Sequence, residues 1–309
     1  MNSLSVIIPL KDEAESLTVL YDELNNTLRP LNYPYEIIFI NDGSTDHSYS
    51  ILEKLAKEDN NIKLINFSSN RGKSAALAAG FDKATGSILI TLDADLQDDP
   101  RDIPKLIEKI EQGYDLVTGW RKNRADSQLK KISSLLFNWG TRYLANVKLH
   151  DFNCGIKAMK YEVTNDLYIY GELHRFIPVL AAKKNFKITE IPVNNRPRRF
   201  GKSNYGLERS WKGIIDLMTT IFISDYSTKP AHFFGKIGLF FFVIGFLMDS
   251  YVTLIKIITG TTQAKIPLLL AGILFIILGV QLLCTGLIAE TIIYYLNKNE
   301  RALKKIKKT

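Results

Sequence analysis

Asp93, Asp95 and Gln97 follow the apolar run Ile88-Leu89-Ile90-Thr91-Leu92 at spacings of i, i+2 and i+4. If that run is a buried strand that stays extended to its end, alternate side chains project to one side and the three oxygen-bearing groups share it. Two carboxylates and an amide are hard ligands. Mg²⁺ and Mn²⁺ prefer oxygen, and Mg²⁺ is commonly held by one or two carboxylates with substrate phosphates completing its shell. Ligands of open α/β sheets collect beyond the carboxyl ends of the strands, so position and chemistry agree. Because Asp98, Asp99 and Pro100 come next, the same residues also read as a solvated acidic turn, and the neighbouring strand ends must decide.

Those neighbours form a regular alternation. Ser5-Val6-Ile7-Ile8-Pro9 is a short β-branched strand, and a helical pattern opens at Lys11-Asp12-Glu13-Ala14-Glu15 and continues to about Leu28. Tyr35 to Ile40 is a second strand that stops at Asn41-Asp42-Gly43-Ser44-Thr45-Asp46, a cluster of turn formers and helix caps. A helix over about Ser48 to Lys57, a strand over Ile62 to Asn66 and an Ala-rich helix over Ser74 to Ala84 lead to the fourth strand. The order predicts an α/β fold, a mostly parallel sheet covered by helices on both faces. Glu13, Asp42 and the Asp93/Asp95 pair follow three different strands and are expected at one edge of it. Carboxylates there suit the sugar hydroxyls and base N–H groups of a nucleotide whose diphosphate a metal holds. Neither G-x-G-x-x-G nor G-x-x-x-x-G-K-[ST] occurs, which weighs against a dinucleotide or P-loop site.

The 309 residues divide by composition. The first two thirds mix charged and apolar residues as a soluble domain does. Phe233 to about Ile258 and Ile266 to about Leu296 are instead two long apolar runs joined by Thr259 to Lys265. Each exceeds the roughly 20 residues that cross a hydrocarbon core of about 30 Å. A membrane hairpin is expected, with a catalytic unit over 1–228, the spans within 229–296 and a basic tail over 297–309. Lys298, Arg301, Lys304, Lys305, Lys307 and Lys308 beyond the spans, and Arg209, Lys212 and Lys229 before them, place both ends and the catalytic unit in the cytoplasm by the positive-inside rule. The net charge of +8 fits nucleic acid, anionic lipid or a phosphorylated substrate, and its placement favours membrane lipids and phosphates over nucleic acid. Leu4 to Leu10 is strand-sized, so no cleaved signal peptide is expected. Two cysteines, Cys154 and Cys284, suggest no disulfide framework and a reducing compartment. Asp249 falls inside the first span and is expected to face the hairpin partner or a second protomer, near Gln281, a polar cavity being the functional version. Gly238, Gly245, Gly272, Gly279 and Gly286 permit close helix approach, which favours a homo-oligomer.

Val6-Ile7-Ile8-Pro9 with Glu13, Asn41 through Asp46, and Asp93-Ala94-Asp95-Leu96-Gln97 together resemble the signature set of inverting family 2 glycosyltransferases with the GT-A fold. The resemblance is to dolichyl- and undecaprenyl-phosphate sugar synthases, and it continues through Leu149 to Ala158, Glu172 to Pro178 and Arg196 to Gly206. It implies transfer of one sugar from a UDP- or GDP-linked donor, UDP favoured, to a polyprenyl phosphate with Mg²⁺ or Mn²⁺. It further implies that Pro9, Glu13 and Asp42 contact base and ribose, that Asp93, Asp95 and Gln97 bind metal and diphosphate, and that Asp151 lies beside the transferred sugar and acceptor. Asp12 stands where many relatives have Asn.

The acceptor side can be read from chemistry. A lipid phosphate is already anionic, so it needs relief from repulsion by the donor diphosphate and in-line positioning rather than a general base. Guanidinium groups supply both. Arg121 and Arg124 after the strand-like Leu116-Val117-Thr118 are candidates, as are Arg175 and the group Arg196, Arg198, Arg199, Lys202 and Ser203. Contact with lipid headgroups is the plainer reading of the same residues. Asp151 is a base or an orienting group. His174 reads equally as a buried structural histidine. Leu129 to Val147 and Trp211 to Ile223 are amphipathic and read as interfacial or as core-facing helices. A processive polysaccharide synthase is the rival enzyme, but Leu207-Glu208-Arg209-Ser210-Trp211 lacks Q-x-x-R-W spacing and two spans make no translocation channel. A non-catalytic scaffold for a lipid-sugar flippase is the rival from another class.

Overall fold

The computed structural model describes residues 2–122, 138, 141–142, 147–197, 199–200, 218–220, 222, 226, 229–262 and 265–306. The chain forms two compact units, Met1–Thr220 and Ile221–Thr309. The amphipathic stretch 129–147 falls almost wholly outside the described residues, as does most of 211–223, and so do Arg124, Arg198, Lys202 and Ser203.

Strands β1 (Leu4–Leu10), β2 (Tyr35–Asn41), β3 (Ile62–Asn66) and β4 (Ile88–Thr91) are mutually parallel in the order β3-β2-β1-β4. The sheet continues through β6 (Lys157–Lys160), β5 (Leu116–Trp120) and β7 (Ile188–Pro192). Strand β6 runs antiparallel to both neighbours, while β5 and β7 are parallel. β1 is buried along its whole length and β2 nearly so, as central strands covered on two faces must be. Helix α1 (Ala14–Leu28) lays Leu17, Leu20, Leu24 and Leu28 on the core, an apolar stripe at helical spacing. Helices α2 (Ser48–Glu58), α3 (Lys73–Lys83), α4 (Ile103–Glu111), α5 (Tyr161–Asp166) and α6 (Ile177–Lys183) complete the layers.

In the second unit α7 (Pro230–Thr259) and α8 (Ile266–Ile306) are long and apolar enough to cross a membrane, the apolar part of α8 ending at Leu296. The segment expected as a tail is therefore helical through Ile306. The glycines line the seam of this hairpin. A Cβ on Gly238 would come within 2.7 Å of the Gly279 carbonyl oxygen, and one on Gly245 within 2.5 Å of that of Gly272. They hold the two helices of one chain together, which removes the support they were expected to give an oligomer. Asp249 packs against Gly272 instead of Gln281, since a Cβ there would lie 2.0 Å from Asp249 Oδ1.

Candidate active site

Parallel pairing brings the ends of β1, β2 and β4 to one edge of the sheet, with Ile7 opposite Thr91 and Leu10 opposite Asn41. Pro9 lies within buried β1, and Glu13 stands half-buried just before α1, its N–H donating to Ser48 Oγ at 3.0 Å. The two loops beyond β1 and β2 are laced together. Asp12 Oδ1 accepts from the Thr45 N–H at 2.7 Å, and Asp46 Oδ2 accepts from the Ala14 N–H at 3.0 Å. Asp42, expected on base or ribose, is 6% exposed, and its two oxygens accept the N–H groups of Arg71 at 2.6 Å and Gly72 at 2.9 Å. It therefore fixes the loop that launches α3. The first residue of that helix, Lys73, forms an ion pair with Asp93.

The fourth strand departs from expectation. Its ladder ends at Thr91, with one further bond from the Leu92 N–H to the Ile7 carbonyl, after which the chain turns and Leu96 adopts φ +62°. Strand alternation therefore does not align Asp93, Asp95 and Gln97. Asp95 Oδ1 accepts the Gln97 N–H at 3.1 Å, and the Gln97 carbonyl accepts the Arg196 N–H at 2.9 Å. The turn instead sends Asp98 inward beside Asp93. A Cβ on Gly155 would lie 2.4 Å from Asp98 Oδ2 and 2.8 Å from Asp93 Cγ, so any side chain there would have to push these carboxylates aside.

On the other side of Gly155, Arg121 at the end of β5 grips Asp151. Its Nε donates to Oδ2 at 2.8 Å and its Nη2 to Oδ1 at 3.1 Å and to the Asn153 carbonyl at 3.0 Å. Asp151 is 2% exposed and also accepts the Asn153 N–H at 3.1 Å. Burial opposes the charge of Arg121, but the hydrogen bond to Asp151 and the negative charges around it, Asp151 and Asp98 among them, together outweigh burial and raise its pKa. A carboxylate so engaged orients the guanidinium and makes a poor base. Asp93, Asp98, Arg121 and Asp151 thus gather around residues 153–155.

The sequence model of glycosyl transferase family 2 matches residues 5–182. The chain belongs to that family. Dodecaprenyl-phosphate galacturonate synthase of Rhizobium johnstonii is 34% identical over 294 residues, 94% of this chain and 87% of the relative. Undecaprenyl-phosphate 4-deoxy-4-formamido-L-arabinose transferase of Proteus mirabilis is 33% identical over the same length, 94% of this chain and 89% of the relative. Glucosyl-3-phosphoglycerate synthase of Mycobacterium tuberculosis, crystallised with Mn²⁺, UDP and phosphoglyceric acid, superimposes with a TM-score of 0.58 at 17% identity. The match covers 72% of this chain and 78% of that one, and it shows the common GT-A architecture. This is a glycosyltransferase with polyprenyl-phosphate sugar transferases among its relatives.

Within this family 2 enzyme the other expected cations are placed differently from one another. Arg196 spans Glu23, at 2.9 and 2.7 Å, and Asp99, at 2.6 Å. It braces the second half of the sheet against α1, and its guanidinium is committed there instead of standing ready as an acceptor clamp. Burial disfavours ionised Asp99, yet hydrogen bonds from Arg101 and Arg196 hold its carboxyl down at about 2. Arg175 pairs with Glu172 one turn away, and Arg199 is exposed. His174 is buried, with Nδ1 3.0 Å from Ser74 Oγ and its backbone N–H donating to the same oxygen at 3.1 Å.

Sequence reasoning missed Lys73, Asp98 and Lys157. Burial, then the Asp93 charge, pushes the Asp98 carboxyl up to about 7, whereas Lys73 holds Asp93 below its usual range despite burial. Among the described residues no three acidic, His or Cys groups are gathered as a ready cation cage. The donor set nonetheless fits a hard divalent ion that takes its remaining ligands from a diphosphate. Asp93 and Asp95 offer carboxylate oxygens and Gln97 an amide oxygen, and Asp98, whose carboxyl is raised first by burial and then by the Asp93 charge, adds a buried acidic group that a cation nearby would stabilise.

Proposed function

We propose that the enzyme transfers one sugar from a nucleotide sugar, UDP-linked, to a polyprenyl phosphate with inversion at the anomeric carbon. The nucleoside diphosphate leaves and the product is a polyprenyl-phosphate sugar. The observation that carries this reading is the meeting, around residues 153–155, of the acidic turn after β4 with the Arg121–Asp151 pair. Near-full-length identity to two polyprenyl-phosphate sugar enzymes supports the acceptor class. The Mn²⁺ and UDP that accompany the mycobacterial enzyme in its crystal support the donor and metal classes.

Asp93, Asp95 and Gln97 would hold Mg²⁺ or Mn²⁺, which supplies charge neutralisation to the leaving diphosphate when bound. Pro9, Glu13 and the loops beyond β1 and β2 receive the nucleoside. Arg121, held rigid by Asp151, offers its remaining N–H groups to the acceptor phosphate and offsets repulsion between the two anions. Arg124, Arg175, Arg198, Arg199, Lys202 and Ser203 are proposed along the path of that phosphate. Helices α7 and α8 span the inner membrane with both ends and the catalytic unit on the cytoplasmic side, where a water-soluble donor and a lipid acceptor meet.

The test is direct. Purified enzyme, Mg²⁺ or Mn²⁺ and undecaprenyl phosphate are incubated with a panel of UDP- and GDP-sugars, and the lipid fraction is analysed by mass spectrometry. One sugar added to the lipid phosphate is expected. A growing glycan, a glycosylated protein or no transfer with any donor would refute the acceptor assignment.

A further inference from the structure

Lys157 is a buried charge to which the mechanism above gives no task. It lies in the middle of the sheet, on β6 opposite Thr91 of β4 and Thr118 of β5, and is 5% exposed. An ammonium has three N–H donors. That of Lys157 donates to the Cys154 carbonyl, and among the described residues it ion-pairs with no carboxylate. The other two cations of the site are matched, Lys73 by Asp93 and Arg121 by Asp151. Burial lowers the pKa of Lys157, with the charges of Asp93 and Asp151 acting in the opposite sense. A buried cation without a dedicated counter-ion is costly unless a ligand supplies one.

The surroundings say where such a ligand would sit. A cavity of about 10 Å³ is lined by Lys73, Thr91, Asp93, Asn153, Lys157 and His174 among others. Of the charged lining groups, Lys73 and Asp93 are the partly exposed ones and so stand nearest solvent. Lys157, 5% exposed, and His174, 8% exposed, line its buried part with the Cys154 thiol, which burial keeps protonated. The volume suits one water-sized group, hence one oxygen atom. Asp93 belongs both to this lining and to the proposed metal set, so an oxygen entering here belongs to the donor.

We propose that Lys157, with His174 beside it, forms an oxyanion subsite that takes one anionic oxygen of the donor, from its diphosphate or from a carboxylate on the sugar. The assignment rests on the donor-site reading given under Proposed function. A charge-assisted hydrogen bond in a buried site strengthens binding by about 10- to 100-fold. The two sources differ in which ligands would feel the loss.

The experiment titrates UDP, a UDP-hexose and a UDP-hexuronate, each with Mn²⁺, into detergent-solubilised wild-type protein and the Lys157→Met and Lys157→Gln variants by calorimetry. Circular dichroism checks that each variant is folded. Loss of affinity by about 10-fold or more for all three ligands assigns the oxygen to the diphosphate. Loss confined to the hexuronate assigns it to the sugar carboxylate. Unchanged affinity for all three in a folded neutral variant overturns the subsite and leaves the donor reading intact. Wild-type protein that binds none of the three overturns both. Should neither neutral variant fold, the ¹⁵N resonance of Lys157 Nζ in wild-type protein is followed through the same titrations. A shift with UDP or only with the hexuronate supports the subsite, and no shift with any ligand overturns it.

Discussion

Replacing Arg121 by Met separates the structural work of the Arg121–Asp151 pair from its proposed work on the acceptor. Asp151 is 2% exposed, and Arg121 donates a hydrogen bond to each of its two carboxylate oxygens, both lost on substitution while that from the Asn153 N–H remains. Breaking one side of a buried ion pair costs about 3–5 kcal/mol, because the remaining charge loses the counter-charge that offset its burial. For a unit of this size, roughly 2–4 °C of apparent Tm per kcal/mol turns that into a fall of roughly 6–20 °C. Arg121→Met combined with Asp151→Asn removes both charges and should recover most of the lost stability. It should not recover activity, since the guanidinium is still missing, and single and double variants should both transfer sugar about 100-fold or more slowly than wild type. Thermal unfolding and mass-spectrometric quantitation of the glycolipid read the two effects independently. A double variant as unstable as Arg121→Met would show that Asp151 is not the stranded charge. A double variant with restored transfer would show that Arg121 acts only as a partner for Asp151.

Gly155→Ala should fold, because the atoms its Cβ meets are carboxylate ends that can move, yet it should weaken Mn²⁺ and UDP binding by displacing Asp93 and Asp98; calorimetry checks this, and unchanged affinity would count against the site. Arg196→Met should destabilise the protein by about 2 kcal/mol without abolishing transfer, since it loosens Glu23 and Asp99 and touches neither Asp93 nor Arg121. The folded pKa of Asp99 lies below the usual aspartate value of 3.8, so the stability it contributes is present above about pH 4 and is lost as pH falls towards about 2. The gap in apparent Tm between wild type and Arg196→Met should therefore narrow across that window. Chelation with EDTA should stop transfer, with Mg²⁺ or Mn²⁺ restoring it in wild type but not in a folded Asp95→Ala variant.

Period and punctuation made the first half of the chain legible. The β-branched runs at Leu4–Leu10 and Tyr35–Asn41, the cap-rich segment at Asn41 to Asp46 and the Leu17/Leu20/Leu24/Leu28 stripe of α1 each follow from local rules that tertiary contacts do not override. The antiparallel β6 was not legible, because Lys157–Lys160 is four residues long and carries a lysine at each end. The same lysine hid the oxyanion subsite, since a basic residue in a short segment ordinarily signals solvent. Asp98 and Asp99 looked like a solvated turn after the D-x-D. What buried them was a long-range brace, the bridge of Asp98 to Asn195 and the ion pair of Asp99 with Arg196, that no local pattern announces. Arg196 illustrates the converse. Read within its basic cluster it looked like a phosphate ligand, but its partners Glu23 and Asp99 are distant in sequence.

These braces explain how residues scattered along the chain act at one place. Asp42 receives the Arg71 and Gly72 N–H groups and so sets the start of α3. The start of α3 sets Lys73 against Asp93, and Ser74 against His174. The Thr91 hydroxyl donates to the Gly155 carbonyl at 2.9 Å, and the Asn153 carbonyl accepts from Arg121. A displacement at the edge proposed for the nucleoside thus has a hydrogen-bonded route through residues 70–74 and 153–155 to the groups proposed for the leaving diphosphate and the incoming phosphate. Packed segments transmit such shifts because their contacts do not deform freely. An acidic residue expected on the nucleotide can therefore also matter for turnover through the loop it holds. Substituting Asp42 should disturb Asp93 through Lys73, lowering transfer and metal affinity together, whereas loss of a pure base contact would weaken nucleotide affinity alone.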